Sequence, residues 1–441
     1  MPVLDVMVIG AGFAGLSAAR ALVDAGKDVA VVEARDRVGG RTLNVEVPGG
    51  IVEAGGQWVG PGQDRVLGLI AELGLSTYPT HDSGLHLAEL GGRTTRYSGR
   101  IPKLNPVVLA DIAQAQLRLD RAARRVPLEA PWAAPGAATL DAQTFATWLG
   151  RHVRTRSGRA FFQLVTEAVW CADPAELSAL WAQFYIHSGG GLDSLINTTG
   201  GAQQDRVVGG TQGAAQALAA GLGDRVRLGT PVTELEWTAE RVRAGDLEAR
   251  RAIIALPPPA VARIGFSPAL PADRAQLLQR MPMGWTIKVN VGYDEPFWRT
   301  EGMSGQANSD RRALGTVFDG GPPDGAPAVL VGFLEARHAQ AAARMAPKER
   351  RDLVLADLTA YFGPRAAEPA FYFEQNWAEE EYTRGCYGAF ATPATLTRFG
   401  PALRAPVGPL HWAGTETATR WAGYIDGAIE SGRRAAEEVL R

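Results

Sequence analysis

Residues Val3–Thr42 read VLDVMVIGAGFAGLSAARALVDAGKDVAVVEARDRVGGRT. The apolar run Val3–Ile9 has the length, and lacks the polar alternation, of a strand buried on both faces of a parallel sheet. Gly10, Gly12 and Gly15 follow directly. They give a tight turn, room for a pyrophosphate against the backbone, and close packing of helix on strand. The helix they open would offer its N-terminal amides to the phosphates. Gly26 closes that helix as a C-cap, and Asp28–Val32 reads as a second strand ending on Glu33, where a ribose hydroxyl needs a carboxylate. A glycine triplet alone is weak, but strand, helix and acid in this order point to a dinucleotide site. The plainer reading is an ordinary βαβ unit with a tight turn. The continuation Arg35, Arg37, Val38, Gly39, Gly40, Arg41, Thr42 adds a second glycine pair and arginines, which extend a phosphate cradle or form a basic surface turn.

Working outward, 441 residues suffice for two or three domains and a large core. A formal net charge of −2 leaves no basic field for nucleic acid or an anionic membrane surface. Cys171 and Cys386 are the only cysteines, which excludes a disulfide framework and a cysteine-rich metal centre and suggests a reducing compartment. His81, His86, His152, His187, His338 and His411 show no spacing with carboxylates that would hold a metal. No basic segment precedes an apolar one at the start, the first strand begins by Val3, and no apolar run would span a bilayer. A soluble, cytoplasmic protein is therefore expected. Of the 45 basic residues only Lys27, Lys103, Lys288 and Lys348 are lysine, so each lysine kept is more informative than usual.

Along the chain, Gly55 and Gly56 beside Gln57 and Trp58 suit backbone passing close to a flat ligand, or a hairpin turn. The pattern predicts a helix over 64–73, short strands and turns from Leu85 to Ile101, and a helix over 111–126 with Arg118, Arg121, Arg124 and Arg125 on a solvated face. Helices follow over 144–151 and 159–170. Another opens with Asp173 as N-cap and Pro174 at its first position, packing Leu177, Leu180, Trp181 and Phe184 on the core. The compact style of the first forty residues returns at Val207, with a helix over 211–222 and strands over 226–235 and 249–256. This return predicts interleaved domains: 1–77, 206–284 and 382–441 in the nucleotide domain, 78–205 and 285–381 in the second.

From Met283 to Tyr293, Trp285, Ile287, Val289 and Val291 fall on one strand face and Thr286, Lys288 and Asn290 on the other. Lys288 thus faces solvent or a polar cavity between domains, and residue type alone favours solvent. The run Glu379, Glu380, Glu381 reads as a solvated face without a role. Beyond it come Gly385-Cys386-Tyr387-Gly388, a strand Leu410–Ala413, the turn Gly414-Thr415-Glu416-Thr417, and a helix from about Ile425. That helix either aims its positive end at an electron-rich ring or simply docks on the sheet.

Through EARDRVGGRT, GGQWVGP, ELSALW, VVGGTQ, IKVNVGYDEPFWR, RGCYGAF and HWAGTETATRWAGY the chain resembles the flavin-containing monoamine oxidases nearly end to end. The resemblance implies an α/β fold in which a GR2-type, Rossmann-like FAD-binding domain is interleaved with an α+β substrate domain, the flavin ring at their junction. Carried over by residue, Glu33 would bind the adenosine ribose, and Gly10, Gly12, Gly15 and Arg41 the pyrophosphate region. Arg35, Gly56, Gln57, Val232, Gly414, Thr415 and Glu416 would complete the FAD contacts. Lys288 matches the lysine that holds a water near flavin N5, Trp377 a tryptophan packed near the flavin, and Tyr387 and Tyr424 the pair flanking the substrate amine. Cys386 matches the cysteine bonded to the flavin 8α carbon in covalent members; other relatives lack it and bind FAD without a bond. Ile196 and Gln203 fall where the family lines its substrate cavity. Mitochondrial members carry a membrane tail beyond the equivalent of the last helix, which is not seen here, and relatives are commonly dimers.

The implied reaction is oxidation of a small primary amine, aromatic or aliphatic. An α-carbon yields a hydride equivalent only when its nitrogen is neutral, so no carboxylate should stand beside that nitrogen. Two phenol rings would orient the amine without protonating it, and the flavin would do the redox step. Dioxygen would be reduced to hydrogen peroxide, and the imine hydrolysed to aldehyde and ammonia, with Lys288 and its water serving one of these later steps. A diamine or polyamine oxidase is the near alternative, needing an acidic residue for the distal ammonium that the sequence does not single out. An L-amino acid oxidase would need an arginine for the substrate carboxylate. A flavin-binding protein without turnover is the reading from another class, against which the retention of Lys288, Tyr387 and Tyr424 argues. Cys171, beside Trp170, reads as core packing.

Overall fold

A computed structural model describes residues 3–100 and 102–441. The expected first strand forms at Leu4–Ile9 and runs parallel to both its neighbours, Val29–Val32 and Leu247–Ile254. Val226–Arg227 extends the sheet beyond Val29–Val32, while Val242–Ala244, Glu234–Trp237 and Gly265–Ser267 extend it beyond Leu247–Ile254. Leu410–Trp412 pairs with Leu247–Ile254, also in parallel. Among the described residues this eight-stranded sheet therefore draws on three separate lengths of chain. The long strand expected over 226–235 is broken into two. Gly229 with positive φ and Pro231, which has no N–H to give a ladder, turn the chain between the pieces.

The helices Phe13–Asp24 and Ile425–Leu440 pack together so closely that a Cβ at Gly432 would lie 2.1 Å from the Ala14 carbonyl oxygen. The last helix is thus docked on the nucleotide unit. Its fully buried Asp426 accepts N–H bonds from Arg65 (2.7 Å) and Val66 (3.0 Å), capping the adjacent helix Asp64–Glu72 from outside.

A second sheet has seven strands among the described residues, with Thr286–Tyr293 held between Ala328–Glu335 and Phe371–Asn376, antiparallel to both. Ile287, Val289 and Val291 pack under the helices Ala336–Ala342 and Pro347–Phe362 with Leu330, Leu334 and Leu358. Trp285, expected on that face, lies before the strand and is exposed. The opposite face carries Thr286, Lys288 and Asn290. Across the ladder Phe333 stands opposite Lys288, and Glu335 opposite Thr286. Directly paired residues share a face, so these four side chains point the same way. Far along this sheet, Leu85–Leu90 and Arg93–Tyr97 form the expected short strands; Ile101 lies outside the described residues.

A helical layer covers the second sheet. Its helix Pro106–Ala123 starts a turn earlier than expected, because Asn105 accepts from Val107 N–H and Pro106 fits the first turn. Arg118, Arg121, Arg124 and Arg125 are exposed. The helix expected from Asp173 instead begins at Ala179, where the Ser178 hydroxyl accepts from Leu180 and Trp181 N–H. Asp173 closes a separate turn through Ala175 N–H.

Candidate active site

A cavity of about 650 Å³ runs from the glycine turn of the first sheet to the Lys288 face of the second. At its nucleotide end, Gly10 holds φ +101°, and a Cβ there would meet the Ala255 carbonyl oxygen at 2.9 Å. The Gly10–Gly12 turn and the Gly39–Gly40 turn face each other, with Gly12 N-capping the next helix without any side-chain bond. The result is a side-chain-free cradle at an uncommitted helix N-terminus, which suits a pyrophosphate. Glu33 is buried at the end of its strand; one oxygen accepts from Ala11 N–H (2.8 Å), the other from Arg35 N–H (3.0 Å).

The charges around this end are paired. Arg35 forks onto Glu380 and also bonds the Thr383 hydroxyl, so the glutamate read as a solvated charge clamps the loop after Trp377 to the nucleotide turn. Arg41 donates to both oxygens of Glu416 (2.6 and 3.2 Å) and to the Tyr387 carbonyl (2.8 Å). Burial alone would raise the Glu416 carboxyl, and the Arg41 guanidinium reverses this. Gly56, Gly414 and Thr415 line the cavity with them. Three expected contacts stand back from it: Gly15 packs under the Gly10 carbonyl, Glu416 lies beneath Arg41, and Val232 sits half-buried against the core around Leu235.

At the other end Lys288 is only 2% exposed, against the solvent-facing reading that residue type favoured. Its Nζ donates to the Gly55 carbonyl (2.7 Å) and to Gln57 Oε1. Burial pulls its ammonium down to about 7, with Glu53 opposing and Arg206 adding to the fall. Trp377 donates to the Ala54 carbonyl at 2.9 Å and lines the cavity beside Cys386. The Cys386 thiol is buried and pushed up to about 12 by burial, against the pull of Arg41 and Lys288. Tyr387 and Tyr424 line the same space, as do Ile196 and Gln203. Gln57 Nε2, Thr286 Oγ1 and Gln203 Oε1 are buried there without partners, which marks room for a polar guest. The cradle, the buried acid and these orphaned atoms fit a flavin dinucleotide.

Reading the sequence missed Glu335. It lines the cavity, is 4% exposed, and accepts from the Tyr387 hydroxyl at 3.1 Å and the Thr316 hydroxyl at 3.4 Å. Burial pushes its carboxyl up to about 8, and Glu167 adds to the rise. The available signal was its spacing: Phe333 and Glu335 are two apart on a strand, hence on one face. Tyr185, also missed, lines the cavity 6.1 Å from Tyr424 between ring centroids.

The family model for flavin containing amine oxidoreductases matches residues 13–440. A Mycobacterium tuberculosis protein named as a flavin-containing monoamine oxidase, AofH, is 43% identical over 440 residues, 99% of this chain and 96% of that protein. Amine oxidase B of Sus scrofa is 39% identical over 449 residues, 99% of this chain and 86% of that protein. Among solved structures, putrescine oxidase bound to putrescine superposes with a TM-score of 0.96 at 35% identity, covering 100% of this chain and 99% of that one. Cyclohexylamine oxidase from Brevibacterium oxydans does so with a TM-score of 0.95 at 35% identity, covering 99% of each. Fold and site together define an FAD-dependent enzyme of amine oxidation. The chain belongs to the flavin-containing amine oxidase family. No helix among the described residues is long and apolar enough to cross a membrane.

Proposed function

We propose that this enzyme oxidises small primary amines to aldehydes, with dioxygen as acceptor and ammonia and hydrogen peroxide as products. The observation that carries the reading is the gathering of Lys288, Trp377, Cys386, Tyr387 and Tyr424, from distant parts of the chain, around the end of a cavity whose other end is a dinucleotide cradle. FAD, when bound, supplies the hydride acceptor and returns the electrons to dioxygen.

The protein's own work is positional. The rings of Tyr387 and Tyr424 orient a neutral amine by their faces and offer it no charge. Burial holds both phenols protonated, with Glu335 beside Tyr387 and Tyr185 beside Tyr424. Lys288, poised near neutrality by burial, carries or releases a proton at Nζ and serves the oxygen half-reaction or the imine hydrolysis. Glu33 would hold the ribose, the Gly10–Gly12 turn and the region of Arg41 the pyrophosphate, and the remaining cavity residues the ring. Against an amino acid substrate, Arg35 and Arg41 are committed to Glu380 and Glu416, and Arg100 stands exposed at the rim.

Cys386 is proposed to hold the flavin through an 8α-thioether. Acid precipitation of the purified enzyme should leave the yellow colour in the pellet for the wild type and in the supernatant for Cys386→Ala. Wild-type colour in the supernatant would remove the bond from the proposal. We further read the chain as two interleaved domains with the ranges given above, acting in the cytoplasm as a homodimer. That Cys171 and Cys386 are both buried and unpaired with each other supports the compartment. The test of the function is anaerobic bleaching of the flavin absorbance by butylamine, benzylamine, phenylethylamine and putrescine. Bleaching by dithionite and by no amine would overturn it.

A further inference from the structure

Glu335 is a carboxyl in a cavity where the chemistry wants none beside the reacting nitrogen. Its surroundings say what it is for. It is 4% exposed, and among the described residues no cation of the protein lies within ion-pair distance of it. The nearby Arg337 is turned to Glu167 at 3.5 Å instead. A carboxylate has about four acceptor positions, and Glu335 fills two, one of them with the long 3.4 Å bond from Thr316. Every other buried carboxylate around the cavity and its cradle has its own donors: Glu33 has amides and Arg35, Glu416 has Arg41 and an amide, and Glu53 has Arg206 and Thr211. Glu335 alone among them has neither a guanidinium nor a backbone amide, only two hydroxyls.

Its placement is at the hydroxyl end of a ring that lines the cavity. Glu335 bonds the hydroxyl end of Tyr387, so a ring's length of phenol lies between it and the carbon atoms where that ring joins the backbone. Leu164 lines the cavity near it, an apolar wall for a methylene chain. A monoprotonated diamine carries both nitrogen forms at once: a neutral amine to be oxidised and an ammonium to be held.

We propose that Glu335 is a specificity-determining residue which captures a second, cationic group of the substrate, so that the preferred substrates are short aliphatic primary diamines. This rests on the amine oxidase reading and sharpens it. Burial, which pushes the unliganded carboxyl up to about 8, agrees with this: an incoming ammonium would bring the carboxyl down, and its binding would release a proton. A carboxylate–ammonium hydrogen bond in such a site is worth a tenfold preference or more.

The test compares amines of one skeleton that differ by one charge. For the holoenzyme, kcat/KM for putrescine should exceed that for butylamine by about tenfold or more. A series from 1,3-propanediamine to 1,6-hexanediamine should show an optimum length. In Glu335→Gln, which keeps the shape and can still accept from Tyr387, the putrescine to butylamine ratio should collapse toward unity, with Glu335→Leu a second variant should the first load flavin poorly. A wild-type ratio near unity overturns the proposal without needing either variant. So does an equal fall for both amines in Glu335→Gln, which would leave Glu335 as a partner that only positions Tyr387. A loss confined to tyramine relative to phenylethylamine would overturn it as well, making the residue a hydroxyl acceptor. Failure of the parent reading looks different: no amine, with one charge or two, bleaches the flavin.

Discussion

The two ends of the cavity treat charge in opposite ways. At the nucleotide end each buried charge has a counter-charge or amides: Arg35 with Glu380 and Glu33, Arg41 with Glu416. At the amine end the two ionisable side chains sharing one sheet face, Lys288 and Glu335, have no ion pair between them, and burial moves each toward neutrality. Paired charges fix a geometry and stay fixed across pH, whereas unpaired buried charges remain available to a guest. The nucleotide end is built to hold; the amine end is built to respond.

If that contrast is right, breaking a pair at the nucleotide end should cost the most. Glu416→Ala leaves the half-buried Arg41 guanidinium without its carboxylate and removes the acceptor for Ala389 N–H. Removal of one member of a buried pair costs about 3–5 kcal/mol, so the expected outcome is a marked fall in thermal midpoint together with poor flavin loading. Differential scanning fluorimetry alongside the ratio of flavin to protein absorbance would check it. A normally loaded, normally stable variant would show that the pair is ornamental and the contrast false.

Next in size is Lys288→Met. The variant should fold and load flavin, because an isosteric apolar chain removes a desolvated charge. Reduction by amine in anaerobic stopped-flow should change by only a few-fold, while reoxidation by dioxygen slows by about a hundredfold. The wild-type reoxidation rate should step near pH 7, where the buried amine changes from ammonium below to neutral above, and the step should be gone in the variant. Slow reduction with unchanged reoxidation would place Lys288 in the other half-reaction.

The same contrast decided what could be read from the sequence. The nucleotide end is local: Gly10, Gly12, Glu33, Gly40 and Arg41 lie within one run of chain, and their spacing states their geometry. The amine end is assembled from the sheet face around Thr286 and Ala328–Glu335, the loop at Cys386 and the turn at Tyr424, so no single window contains it. Lys288 shows the difficulty. Strand alternation placed it on the polar face, but whether that face met water or a cavity depended on which layer covered the sheet. Resemblance to a family, rather than residue type, moved it inward. Glu335 had neither a motif nor a resemblance to draw attention, and Glu380 was hidden in a charge run because its partner Arg35 lies 345 positions away. Asp173 failed for a local reason: both it and Ser178 are capable caps, and the chain gave the helix to the second.

A smaller effect follows from the raised carboxyl of Glu335. Its folded value is about 8, and the ordinary value is 4.5. Between these limits the folded enzyme keeps a proton that the unfolded chain has lost, so the residue makes stability fall as pH rises from 4.5 to 8. Glu335→Gln cannot titrate. Relative to it, the wild type should lose several degrees of thermal midpoint between pH 6 and pH 9, measured without added amine, and saturating putrescine should recover part of the loss. Parallel pH curves for the two proteins would mean that the carboxyl is already ionised and compensated in the empty cavity.

The smallest effect expected is that of Tyr387→Phe. The ring, which meets Phe333 edge-on at 6.1 Å between centroids, keeps its packing and its face; only the hydroxyl bonded to Glu335 is lost. If the phenol acts as a wall, butylamine kcat/KM should fall by about threefold, the worth of one neutral hydrogen bond. The diamine should suffer somewhat more, because Glu335 loses the donor that fixes its rotamer. Steady-state kinetics on the two amines would separate these cases. A hundredfold loss for both would mean that the hydroxyl itself works on the reacting nitrogen. The amine end would then hold a fixed polar contact of the same kind as the nucleotide end, and the division between a holding end and a responding end would have to be redrawn at Glu335.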